Sequence, residues 1–249
     1  MNRAFRKRLQ RLADSPPAIS RASELQETVD TLYAQQYLRT LEILHSLTPD
    51  NADSVAIALA NALHQASSQA QQTAARFYPQ APQQMKCQAG CAWCCYEQLQ
   101  VHILDAVAVA ANLTAPLDYH LETRQSQEIK RIFRPCPFLS EEKTCTVYEH
   151  RPLPCRAHHS VDLERCRQAV ENQDPERQVP MLIRYYSFPG LPQEATLKVF
   201  EELGIDNRPV VLGLAVAALK RDFEGVTRDW LSGGPAFEEC VVLVANAIE

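Results

Sequence analysis

Eight cysteines, Cys87, Cys91, Cys94, Cys95, Cys136, Cys145, Cys155 and Cys166, lie within one central stretch, while the other 169 residues hold only Cys240. A rare and reactive residue gathered in this way limits what the segment can be. Residues 1–12 are basic and lack the apolar stretch of a secretory signal. A cytoplasmic, reducing setting is therefore expected, and disulfides are uncommon there. Metal ligation and thiol redox chemistry remain as the main explanations.

The spacing favours ligation. Cys87-Gln-Ala-Gly-Cys91-Ala-Trp-Cys94-Cys95 puts four sulfurs within nine residues. Thiolates suit zinc, copper(I) or iron–sulfur centres, and not magnesium or calcium. Zinc takes four such ligands in a tetrahedron, so eight cysteines can fill two four-cysteine zinc sites, two four-thiolate clusters or one of each. The adjacent Cys94 and Cys95 point in different directions on any regular backbone. They can serve different metals or opposite sides of one polynuclear centre. If residues 87–95 were helical, the cysteines would instead form one buried face, but Gly90 weakens a helix there. Cys240, followed by Val-Val-Leu-Val, reads as plain core of an apolar helix.

The downstream half of the constellation is Pro135-Cys136-Pro137-Phe138-Leu139, then Cys145-Thr-Val-Tyr148-Glu149-His150-Arg151-Pro152-Leu153-Pro154-Cys155-Arg156. With the opening run, these segments resemble the CxxCxxCC family, the YkgJ-like cysteine cluster proteins described as zinc- or iron-chelating. Cys166 agrees with an eighth family cysteine. The resemblance implies a metal ion as partner, zinc or an iron–sulfur cluster as cofactor, and the eight cysteines as ligands. It covers about a third of the chain and departs from the pattern twice. Three residues separate Cys87 from Cys91 instead of two, and residues 140–144 lack the glycine expected in so tight a turn. A flagellin lysine methylase carries a similar cluster. An iron–sulfur enzyme, an oxidoreductase or protein-modifying catalyst, is accordingly the alternative function, beside a thiol redox sensor.

Arg151 and Arg156 fit as cations behind the ligands. A zinc ion held by four thiolates carries a formal charge of about −2, which nearby guanidinium groups offset while donating hydrogen bonds to sulfur. Tyr148 can join that network, and His158 or His159 can replace a thiolate or shuttle protons. No phosphate loop, dinucleotide fingerprint, H-E-x-x-H or G-x-S-x-G is present, so an enzyme here would draw its chemistry from the centre itself.

The flanks read as helices, and the expected fold is mainly α, with an embedded metal-stapled module that contains at most a small β-hairpin. Three segments are expected: 1–80, a basic start and helical hairpin; 81–175, the cysteine module; and 176–249, C-terminal helices packing on the rest as one compact unit. Arg3, Arg6, Lys7, Arg8 and Arg11 lie opposite Phe5, Leu9 and Leu12 on a first helix. Against a total of −5, these charges leave the rest of the chain at −10, which argues against general nucleic-acid binding. A helix over 23–47 opens on the capping box Ser23/Gln26. After Pro49, Asp50 is expected to cap a second helix along Val55, Leu59, Ala62, Ala66, Ala70 and Phe77. Leu99, Val101 and Ile103 alternate as an extended segment, after which Asp105 caps a helix to about Leu113. Pro116 opens another, with Leu117, Leu121, Ile132 and Phe133 on its apolar side. Residues 138–139 and 144–148 pair as a hairpin, and Ser160 caps a helix carrying Cys166. A helix runs from Pro192 to Leu203 and stops at Gly204. The apolar run from Val210 to Leu219 reads as a buried helix after Pro209, too short at ten residues to span a bilayer. A last helix is expected from Phe237 to Ile248.

Overall fold

A computed structural model of the chain describes residues 3–88, 90–97, 99–114, 117, 135–174 and 178–241. Among them the chain forms the helices α1 (Arg3–Asp14), α2 (Glu24–His45), α3 (Ala52–Phe77), α4 (Ala81–Gln84), α5 (Ile103–Asn112), α6 (Leu153–Ala157), α7 (Leu163–Glu171), α8 (Ile183–Leu203), α9 (Leu212–Arg221) and α10 (Phe223–Leu231). The strands β1 (Gln100–Val101) and β2 (Val210–Val211) complete the set. The fold is mainly α, as the sequence indicates. The residues group into two compact units, each assembled from three stretches of chain.

The first unit comprises residues 1–82, 183–207 and 222–236. Ser23 caps α2 by accepting the Gln26 N–H at 3.1 Å. The cap of α3 is Asn51, not Asp50, and its side chain instead closes the preceding turn by accepting the Thr48 N–H at 2.7 Å. The helices α2, α3 and α8 pack against one another, and α10 lies on α3. On α3 the buried stripe is Val55, Leu59, Leu63, Ser67, Ala70 and Ala74. Ala62 and Ala66 stand beside it and are only partly covered. Leu9 of α1 is buried while the five cations of that helix stay exposed. A polar link crosses the core, where Gln36 Nε2 donates to Thr196 Oγ1 at 3.0 Å and Thr40 Oγ1 lies 3.2 Å from the same oxygen. All three residues are buried, so this pairing fixes how α2 meets α8.

Helix α8 begins at Ile183, nine residues before the predicted Pro192, and runs through Pro189 and Pro192. Each proline removes a helical hydrogen bond. Packing holds the early turns nonetheless, because Phe188 stacks on Phe77 at 6.0 Å and meets Tyr78 edge-on. The helix ends, as predicted, at Gly204, whose φ of 73° suits glycine. Helix α10, which the sequence pattern did not separate, starts where Asp222 accepts the Gly225 N–H at 2.9 Å.

The second unit holds residues 83–182, 208–221 and 237–249. The expected extended segment is β1, and its partner is unexpected: Gln100 pairs with Val211 and Val101 with Val210, antiparallel. Val210 and Val211 thus leave the predicted helix, which starts at Leu212. Two β-branched residues suit a buried strand as well as a helix, and the open edge of β1 decides. Helix α9 packs on α5, both almost wholly buried. The hairpin forms around the bridge Leu139–Cys145, with Thr146 N donating to Phe138 O at 2.8 Å. Lys143, at φ 59°, takes the left-handed position for which a glycine was expected. Cys240 is buried, but in a short 3-10 turn, Glu238–Cys240, rather than a long helix. Val241 then bridges to Val210. The rest of that predicted helix, and the one opened by Pro116, fall outside the described residues.

Candidate metal centre

The opening run Cys87–Cys95 is not a helix. Gly90 sits at φ 83°, the Cys91 N–H donates to Gln88 O at 3.0 Å, and a 3-10 turn, Trp93–Tyr96, carries the vicinal pair. The four cysteines therefore do not line one face of an α-helix. All nine cysteines are free.

One group of thiols gathers around Ser160. The Ser160 N–H donates to Cys87 Sγ at 3.2 Å, Lys86 N donates to Ser160 O at 2.8 Å, and Cys87 Sγ donates to His158 O at 3.7 Å. Helix α7 presents Cys166 beside them. Its cap is Asp162, which accepts the Arg165 N–H at 3.0 Å, and not the predicted Ser160. Ser160 is fully buried, and its hydroxyl donates to Asp162 O at 3.0 Å, the carbonyl that also accepts the Cys166 S–H at 3.4 Å. The Cys166 thiol also lies within electrostatic reach of Cys87, Cys91 and Cys94.

The second group comes from the hairpin and α6. Cys155 feels Cys94, Cys136 and Cys145, and Cys136 feels Cys145 and Cys94. The Cys136 N–H donates to Cys95 O at 2.6 Å, which pins the hairpin to the turn. Helix α6 is placed by Asp105, whose Oδ1 accepts the Leu153 N–H at 2.7 Å. Asp105 is wholly buried in the first turn of α5, where His102 takes the cap position predicted for it. Its carboxylate caps a different helix, 48 residues on.

Arg156 Nε donates to Arg151 O at 2.8 Å and its Nη2 to Glu149 O, closing the loop before Cys155. Burial, followed by repulsion from Arg151, lowers the Arg156 pKa. Arg151 lies over the exposed Tyr148 ring, 3.7 Å from its centre, and its buried Nε meets no acceptor among the described residues. Burial lowers the pKa of His158 and His159, which favours neutral imidazoles.

The thiols resist ionisation. Burial leads the rise at Cys87, Cys136, Cys155 and Cys166, and neighbouring thiolates add to it. Cys94 remains exposed, and its rise comes first from the hydrogen bond with Cys95. A cation among these sulfurs would supply the compensating charge, and eight free thiols are a donor set that fits zinc or iron. Among the described residues no three His, Cys, Asp or Glu side chains stand in a metal-holding arrangement.

A pH dependence follows. Cys136 is pushed from about 9 up to about 11, so between those values the folded protein keeps a proton that the unfolded chain has lost. Stability of the metal-free protein should therefore be complete below pH 9 and decline as pH rises through 11. Denaturant midpoints measured across this window should fall for the metal-free form. A flat profile would mean that the thiols carry no such shift.

No helix among the described residues is long and apolar enough to cross a membrane. No curated protein and no solved structure matches the chain. Residues 86–178, which span all eight clustered cysteines, match the family model CxxCxxCC, described as a "putative zinc- or iron-chelating domain".

Proposed function

We propose that the second unit chelates a thiophilic metal, zinc or an iron–sulfur centre, through the cysteines of residues 87–166, as a closed structural or storage site. The observation that carries this reading is that distant segments bring these cysteines together: α7, which carries Cys166, packs on the Trp93–Tyr96 turn, the Cys136 N–H donates to Cys95 O at 2.6 Å, and the Ser160 N–H donates to Cys87 Sγ at 3.2 Å. Eight thiolates meet the demand of two four-thiolate centres. The Ser160 N–H to Cys87 Sγ bond is the kind of contact that steadies a metal-bound thiolate. Arg156 supplies a cation beside Cys155, and Arg151 fixes the same loop.

A redox sensor draws less support. A reactive cysteine needs a depressed pKa, whereas the Cys94 thiol is shifted the other way. An iron–sulfur enzyme would differ from a closed site by an open iron position or a bound organic cofactor.

Anaerobic purification with metal and acid-labile sulfide analysis tests the proposal. About two zinc ions per chain, or iron with sulfide and a brown colour, is the expected outcome. Folded, metal-free protein would overturn it. The variant Cys240→Ala should keep the full metal content, because Cys240 belongs to the turn beside β2 and to neither thiol group.

A further inference from the structure

Arginines at the surface of this chain either pair or stand in water. Arg39, Arg167, Arg208 and Arg228 each meet a carboxylate, and Arg6 and Arg8 of α1 are exposed. Arg151 does neither. It is part-buried, its Nε is sealed from solvent without an acceptor, and its Nη groups make no hydrogen bond or ion pair among the described residues. What holds the group is an aromatic ring. The guanidinium carbon lies 3.7 Å from the centre of Tyr148, a stacking distance. The Tyr148 side of this stack is at the surface, since that residue is 50% exposed.

A part-buried cation with an unpaired donor is costly and calls for a counter-charge. The same turn supplies none among the described residues. Glu149 gives its backbone carbonyl to Arg156 Nη2, and the Asp105 carboxylate is engaged at the Leu153 N–H. The turn adds a second cation instead. Arg156 Nε donates to Arg151 O at 2.8 Å, which fixes the Arg156 guanidinium beside the Arg151 backbone and leaves its Nη1 without a partner among the described residues. We propose that Arg151, stacked on Tyr148 and backed by Arg156, is a binding site for an oxyanion of the carboxylate or phosphate class. A guanidinium presents two parallel N–H donors, the spacing of two oxygens on such a group. Because the ring already holds that plane, little freedom is lost when the anion binds. The part-buried setting strengthens the attraction beyond that of an arginine in water. Neither Arg151 nor Tyr148 is one of the clustered cysteines, so the site does not rest on metal chelation.

The sealed Nε–H supplies the readout, since a proton shielded from water exchanges slowly and gives its own peak in a proton–nitrogen correlation spectrum. The full-length protein, as purified anaerobically, is titrated with inorganic phosphate and separately with acetate. Chloride holds the ionic strength constant, because salt alone screens exposed charges. The Arg151 Nε–H peak is the one absent from Arg151→Lys. It is also the one that moves in Tyr148→Ala, since the ring displaces the resonances stacked on it. A saturable shift of that peak with phosphate, with acetate or with both is expected, and the anion that saturates at lower concentration names the class. Tyr148→Ala should weaken binding by about two- to fivefold, the worth of one exposed cation–π contact. Arg151→Lys keeps the charge but loses the fork, and should remove saturable binding. A peak that follows neither anion, or binding that persists unchanged in Arg151→Lys, would overturn the site. Should Arg151→Lys fail to fold, Tyr148→Ala, a change at an exposed ring, identifies the peak and decides. Protein that carries its metal and shows no such shift would overturn the anion site while leaving chelation intact.

Discussion

Chelation of the metal is expected to open residues 83–97 and 135–174 to protease while most of the helical circular-dichroism signal persists. The cysteine segments consist of turns, a short hairpin and helices of only five and nine residues. Most of their cysteines are only partly buried. Ordering each residue costs about 1–2 kcal/mol of backbone entropy, and such segments bury too little apolar surface to offset that alone. A structural zinc site contributes on the order of 10–16 kcal/mol of apparent binding energy at neutral pH, enough to decide whether the loops are ordered. Most of the described helical residues, by contrast, lie in α2, α3 and α8, which contribute 22, 26 and 21 residues to the first unit and share its apolar core. Within the second unit, α5 and α9 keep their own apolar contact and should resist cleavage longer than the loops. Limited proteolysis with mass spectrometry, with and without chelator, measures this directly. If the chelated protein unfolds in one step and loses α2 and α3 together with the loops, the cysteine centre belongs to a single cooperative core.

What could be read from the sequence follows the range of the interactions. Ser23 caps α2 through a residue three positions away, and Gly204 ends α8 through its own φ, so both were legible from local spacing. Asp105 and Ser160 look like local caps as well. The structure commits Asp105 to Leu153 and Ser160 to Cys87, across 48 and 73 residues, and no periodicity carries that information. Val210 and Val211 show the same limit, because an apolar β-branched pair fits helix and strand alike until β1 offers hydrogen bonds. The cysteine spacing marks eight candidate donors, yet it does not say which segments meet. Cys166 joins Cys87 and Cys91 because α7 returns to the opening loop, which depends on contacts between distant segments. Ser160, with no feature to separate it from a helix cap, was missed as a site residue for the same reason.

The core of the first unit should respond to Trp230→Ala as strongly as any single substitution there. Trp230 is fully buried, meets Phe200 edge-on at 5.6 Å, and donates its indole N–H to Asp206 O at 2.8 Å. Removing the ring leaves a cavity in a packed interior and takes the N–H donor from the part-buried Asp206 carbonyl. Large-to-small changes of this kind cost about 3–5 kcal/mol. For a unit of this size the thermal midpoint should fall by roughly 10–20 °C. Trp230→Phe, which keeps most of the ring but not the N–H, should recover more than half of that loss, since the hydrogen bond alone is worth about 1 kcal/mol. The clustered cysteines lie in the other unit, so below the lowered transition the cobalt-substituted variant should keep the sulfur-to-metal absorption of the parent. Thermal denaturation followed at once by circular dichroism and by that absorption separates the two effects. Loss of the metal signal at temperatures where α2, α3 and α8 are still folded would show that Trp230 supports the cysteine centre itself, and the division of the chain into two separately held cores would then fail.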